Sequence, residues 1–94
     1  MKYLSTRDDS LSRSFNDILY QGLSRDGGLY LPQSWPKIDL LSLKNKSYEE
    51  VACEIIFPYV NENIEKIDLH KILKETYSNF NHKKIAPLVE LENN

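Results

Sequence analysis

The chain has 94 residues, 40% apolar and 28% charged, with a formal net charge of −2 at pH 7; this length makes one domain, able to bury roughly 60–68% of the surface its unfolded form exposes. Charges of mixed sign without a basic excess exclude nonspecific nucleic-acid binding, and Lys83-Lys84, the only adjacent basic pair, is too little for a polybasic membrane patch. The single cysteine, Cys53, rules out an internal disulfide scaffold, and no apolar run approaches the roughly 20 residues of a membrane-spanning helix.

Lys2 to Thr6 opens with a β-prone run, and the serine-rich, charged stretch from Arg7 to Arg13 reads as a loop. Ser14 then opens a helix: its hydroxyl can accept from the N–H three residues on, where Asp17 sets a carboxylate near the positive helix end. Phe15, Ile18, Leu19 and Leu23 follow at spacings of three and four, giving one apolar face, and Gly22 among them offers close packing. Asp26-Gly27-Gly28 breaks this helix with a sharp reversal, since glycine tolerates positive φ. Leu29-Tyr30-Leu31 reads as a short strand ended or placed at an edge by Pro32, and it can pair with Leu4. Gln33 to Lys46, with Trp35-Pro36 and Leu40-Leu41-Ser42-Leu43, reads as an irregular connection with one short helical turn.

Ser47 opens a second helix, with Glu50 completing a capping box. Tyr48, Val51, Ala52, Ile55, Ile56 and Tyr59 share one face, and Pro58, which lacks an N–H, is expected to end or kink the helix. Asp68 is the expected cap of a third helix whose inner face carries Leu69, Ile72, Leu73, Thr76, Tyr77 and Phe80; Asn79 to His82 ends it. Leu88-Val89-Glu90-Leu91 alternates as a strand should. A final strand without a successor before Asn94 suggests a cut inside a longer protein. The predicted architecture is α+β: three helices and a small β-sheet around one core.

Spacing alone gives no catalytic constellation. His70 and His82 belong to no metal-ligand pattern and read as surface or capping histidines; no metal site is expected. Cys53 reads as a buried, inert thiol. The Asp26-Gly27-Gly28 turn could hold an anion on its N–H groups, yet it lacks the lysine and the strand–loop–helix order of a phosphate loop, which favours a structural turn. Ser5-Thr6-Arg7 could grip phosphate or carboxylate; the plainer reading, which is favoured, pairs Arg7 with Asp8, Asp9 or Asp26.

Several blocks, in order, carry a family likeness: Lys2-Tyr3-Leu4-Ser5-Thr6-Arg7, Ser14-Phe15, Gln21-Gly22-Leu23, Asp26-Gly27-Gly28-Leu29-Tyr30-Leu31-Pro32, Ser47-Tyr48, Pro58-Tyr59-Val60, Tyr77 with Phe80, His82, and Ala86-Pro87-Leu88-Val89. Across almost its whole length the chain resembles the N-terminal domain of threonine synthase. The resemblance implies a pyridoxal phosphate enzyme that converts O-phospho-L-homoserine and water to L-threonine and phosphate in threonine biosynthesis, with the cofactor as electron sink. The family's Schiff-base lysine lies in a motif just downstream of the segment matching Pro87 to Leu91, so no catalytic or cofactor-binding residue carries over; Lys83 and Lys84 precede that point and do not match. Residues 1–94 are thus expected to form an N-terminal domain that ends before the cofactor-binding catalytic domain, inactive and cofactor-free by itself. The rest of the threonine synthase chain would be its partner, with no nucleic acid and no membrane.

The family usually has glycine where Asp8 stands, so the backbone after Arg7 is expected to differ. Ser5, Thr6, Arg7, Asp26, Gly27 and Gly28 are the candidates for lining the substrate cleft. The polar N-terminus lacks a signal peptide, making a cytoplasmic protein the expectation. Two other readings stand beside the enzyme fragment: a free-standing protein-interaction module, and a threonine-synthase-like phospho-lyase acting on another phosphorylated amino acid.

Overall fold

A computed structural model describes residues 1–92; Asn93 and Asn94 lie outside the described residues. The elements run β1 (Tyr3–Ser5), β2 (Ser12–Arg13), α1 (Phe15–Gln21), β3 (Tyr30–Pro32), a single 3-10 turn (Leu40–Leu43), α2 (Tyr48–Val60) and α3 (Lys66–Ser78). The expected α+β architecture is present. The sheet has three strands in the order β2-β1-β3, both pairings antiparallel, with Leu4 opposite Ser12 on one side and Leu31 on the other. Pro32 therefore sits on an edge strand, where its missing N–H breaks no ladder.

The segment from Arg7 to Arg13, expected as a loop, contributes β2. Asp8 makes the reversal possible: its carboxylate accepts from the Ser10 N–H at 2.9 Å and the Ser10 hydroxyl at 2.6 Å, and its carbonyl accepts from the Leu11 N–H. An Asx-type turn thus forms at the position where the sequence resemblance led to an expected departure from glycine.

Both capping boxes form. The Ser14 hydroxyl accepts from the Asp17 N–H while the Asp17 carboxylate accepts from the Ser14 N–H; Ser47 and Glu50 repeat the arrangement. Asp68 is not the cap of α3. The cap position is Glu65, without a side-chain bond, and Asp68 stands three residues inside. There its charge favours the positive helix end instead. Gly22 is not a packing position either: it is the C-cap of α1, at φ 72°, with open space where a Cβ would stand. Pro58 does not end α2, which continues through Val60.

The core lies between α2 and α3, where Cys53, Val60, Leu69 and Leu73 are buried and Phe15, Ile56, Phe57 and Tyr77 pack against them. The buried face of α2 is thus rotated about one residue from the expected one. Apolar residues run almost around this helix, so periodicity underdetermines which face turns inward. Of the expected face, Ala52, Ile56 and Tyr59 do pack against this core from partly buried positions, while Tyr48, Val51 and Ile55, together with Ala52, line a shallow surface hollow. Leu19, Leu23, Ile72 and Phe80 are likewise exposed rather than inward. An edge-to-face ladder of Tyr48, Tyr77 and Phe80, with centroids 5.0 and 5.2 Å apart, closes the far end of the helix pair. The run Leu88 to Leu91 forms no strand; a strand needs a partner, and the described residues give it none.

One buried side chain links sheet and helices. Tyr3 donates its hydroxyl to the Tyr59 carbonyl at 2.6 Å and sets its ring beside Phe15. That carbonyl belongs to the last turn of α2, where no helical N–H remains to meet it. Burial, with the neighbouring Tyr59 phenol second, holds the Tyr3 phenol above its ordinary pKa, so the donor keeps its proton. The N-terminal amine adds an ion pair to Glu62 at 3.0 Å, and Lys2 another at 3.4 Å. Tyr3→Phe removes only the hydroxyl and strands the carbonyl. Urea denaturation should show a loss of about 1–2 kcal/mol with an unchanged slope; an unchanged midpoint would mean that water serves the carbonyl equally well.

Candidate substrate-cleft clasp

The glycine turn and the N-terminal strand meet in one clasp. Backbone bonds close the turn itself: Gly27 N–H to Ser24 carbonyl and Ser24 N–H to Gly28 carbonyl, both 3.0 Å. Gly27 takes φ 83°, the left-handed region that excludes most side chains. Asp26 then turns its carboxylate inward, accepting from the Gly28 N–H at 2.9 Å and from the Ser5 hydroxyl at 2.8 and 2.9 Å. Ser5, buried on β1, also accepts from the Arg7 N–H at 3.2 Å. Thr6 pairs reciprocally with Leu29: its N–H donates to the Leu29 carbonyl and its hydroxyl accepts from the Leu29 N–H. Arg7 donates from its guanidinium to the Asp26 carbonyl at 3.0 Å.

All six sequence-predicted residues therefore converge, though eighteen residues of chain, 8–25, separate the two halves. Of the three acids considered for Arg7, Asp26 is the one contacted, through its backbone carbonyl. The N–H groups of Gly27 and Gly28 are both engaged within the turn, and the Asp26 carboxylate occupies the position an external anion would take on Gly28. Arg7 is exposed and lies over Gly27, where an added Cβ would come within 2.6 Å of its guanidinium. At Gly28 an added Cβ would overlap the Ser5 hydroxyl and stand 2.9 Å from that of Thr6. The second glycine thus exists to let strand and turn touch.

Electrostatics follow from this geometry. The Gly28 N–H first, then the Ser5 hydroxyl, hold the Asp26 carboxyl below its ordinary range, with Arg7 adding a smaller pull. Ser24 contributes too: its buried hydroxyl lies near enough to favour the carboxylate, yet meets no partner in hydrogen-bonding geometry.

A second feature, missed by sequence reasoning, is a hollow of about 340 Å³ between α2 and α3, lined by Lys46, Glu50, Cys53, Glu54, Lys66, Ile67 and His70. Glu54 holds Lys66 at 2.7 Å and Lys46 at 3.7 Å across its mouth. The only hint in sequence was the Glu54–Lys66 charge pair on neighbouring helices. Cys53 is buried at its floor, its thiol directed at the Lys66 carbonyl 3.9 Å away. His82 accepts on Nδ1 from the Lys84 N–H, as a capping histidine does. Among the described residues no cluster of three or more His, Cys, Asp or Glu is placed to hold a metal, and no helix is long and apolar enough to cross a membrane.

Comparison with known proteins now decides the family. The family model described as threonine synthase N terminus matches residues 2–77. The chain belongs to the threonine synthase family, as an N-terminal domain. It is 39% identical to threonine synthase of Pseudomonas aeruginosa and 40% identical to that of Corynebacterium glutamicum, in each case over 100% of the chain and 21% of the relative. A crystal structure of threonine synthase from Brucella melitensis with PLP bound superposes with a TM-score of 0.87 at 40% identity, covering 100% of this chain and 21% of that one. The chain thus spans about a fifth of the length of the threonine synthases it matches. Threonine synthases are PLP-dependent lyases, and the domain described here is one part of such a larger chain.

Two outcomes test the clasp. Gly28→Ala should cost about 1–3 kcal/mol in urea denaturation, because the Ser5 and Thr6 hydroxyls must give way together; a neutral effect would contradict the contact. A depressed carboxyl pKa contributes stability above the ordinary carboxylate range, near pH 4, and loses it as pH falls through the folded value. Asp26→Asn should therefore flatten the acid limb of a stability–pH profile, while Asp17, Glu54 and Glu62, also held low, keep part of it. An acid limb identical to the parent's would contradict the role of Asp26.

Proposed function

We propose that this chain is the N-terminal domain of an enzyme that converts O-phospho-L-homoserine and water to L-threonine and phosphate, and that the domain supplies scaffold and cleft wall rather than chemistry. The observation that carries this reading is the family match through residues 2–77 in a chain spanning about a fifth of its relatives.

Pyridoxal phosphate would supply electron withdrawal to such a reaction, and its partner would be a lysine amine brought into a site shielded from water. The lysines here do not fit that requirement. Every one is exposed, Lys83 and Lys84 included. Lys66, beside the main hollow, is pushed the wrong way: the Glu54 carboxylate raises its pKa and holds it protonated. The fragment by itself is inactive and cofactor-free on this reading. In the full enzyme, Ser5, Thr6, Arg7, Asp26, Gly27 and Gly28 line the substrate cleft, with the exposed Arg7 guanidinium the group available to an anionic substrate.

The test uses the full-length protein. It should release phosphate from O-phospho-L-homoserine with formation of threonine, whereas the 94-residue chain should release none. The isolated chain treated with pyridoxal phosphate and borohydride should show only scattered, substoichiometric lysine labelling; stoichiometric labelling of one lysine would overturn the scaffold reading. Arg7→Ala in the full-length enzyme should raise KM for O-phospho-L-homoserine, and unchanged kinetics would return Arg7 to a purely structural role.

A further inference from the structure

We propose that the outer face of the β-sheet, carried by Leu4, Leu29 and Leu31, is the surface on which the domain docks against the remainder of its own polypeptide. This rests on the reading that the chain is the N-terminal part of a longer enzyme.

The face is defined by register. Side chains alternate along a strand; Tyr3 and Ser5 are buried on the inner side, so Leu4 points outward. Leu31 stands directly opposite Leu4 and shares its face. Leu29 lies two residues before Leu31, and the Thr6 N–H bond to its carbonyl extends the ladder to that point. An antiparallel sheet with one solvated face normally reads polar on that face. Here three leucines stand on it beside Ser12 and Thr6: Leu4 is half-buried, and Leu29 and Leu31 are 58% and 45% exposed. A leucine cluster left open on one side of a sheet calls for a second packed layer, and the described residues supply a layer on the other side only, where Tyr3 meets Phe15 and α2.

The occupant follows from chain length. The same fold occurs at a TM-score of 0.87 within a single chain of which it covers 21%. Four fifths of such a polypeptide lies outside the domain and is tethered to it, at an effective concentration no separate partner matches. The edge beyond β3 is blunted by Pro32, so docking uses the leucine face and not strand addition.

Leu31→Cys provides the test, since residue 31 is exposed and Cys53 is buried. Maleimide labelling is followed on the peptide carrying residue 31, relative to the same thiol in denatured protein. In the 94-residue chain the thiol should react freely; in the full-length protein it should react more slowly by at least about tenfold, the protection a modest local opening energy gives. Equal rates in the two would overturn the proposal. So would protection in the isolated chain that grows with its concentration, because a second copy would then be the occupant. Phosphate release from the same full-length preparation is read separately: a protected thiol in a protein inactive on O-phospho-L-homoserine sinks the functional reading alone, and an open thiol in an active enzyme sinks the docking surface alone.

Discussion

A single buried hydroxyl ties this domain together. The β-sheet is small, its strands two or three residues long, and a sheet of that size is not stable alone in water. The helical hairpin of α2 and α3 holds most of the apolar core. Tyr3 joins the two: its ring packs near Phe15, and its hydroxyl meets the Tyr59 carbonyl in the last turn of α2. The surrounding links are weaker. Ion pairs from the N-terminal amine and Lys2 to Glu62 are surface contacts, which contribute little each. The Asn16 N–H to Asn63 bond is also exposed.

The clasp depends on that anchor. Tyr3 and Ser5 occupy the same face of β1, two residues apart, so fixing one aims the other. Ser5 then meets the Asp26 carboxylate, and the glycines allow the turn to lie against the strand. Asp26 is the negative charge at the centre of a set of donors, and its neighbours lower its pKa for that reason. Ser24 apart, the polar groups inside the arrangement satisfy one another, and Arg7 is left on the outside.

The sequence made the locally determined parts readable. Ser14 with Asp17 and Ser47 with Glu50 encode their own hydrogen bonds within four residues, and both helix starts appear where expected. The Gly27-Gly28 turn was readable because glycine tolerates positive φ, although α1 already ends at Gly22 and the glycines do not break it. Tertiary terms were not. Pro58 lies within α2 because the helix gains the burial of Val60 and the Tyr3 bond at Tyr59 beyond it. The core side of α2 was ambiguous because apolar residues nearly encircle it. Leu88 to Leu91 has the alternation of a strand, yet pairing is a property of two segments and alternation belongs to one. For the site, the sequence offered Ser5, Thr6, Arg7, Asp26, Gly27 and Gly28 only as cleft candidates, with a possible pairing of Arg7 and Asp26. The bond pattern inside it, with the carboxylate already occupying the turn, was invisible to spacing.

The proposed role, a body that presents surfaces to the rest of a longer chain, requires sheet and hairpin to behave as one unit. Native-state hydrogen exchange of the 94-residue chain measures this directly. The Thr6 and Gln33 amides, bonded across β1 and β3, should exchange through the same opening, with the same free energy, as the Cys53 and Leu73 amides in the helical core. Thr6 and Gln33 amides that exchange through a much cheaper opening, while Cys53 and Leu73 stay protected, would contradict the claim that Tyr3 makes the sheet and the helices a single cooperative structure.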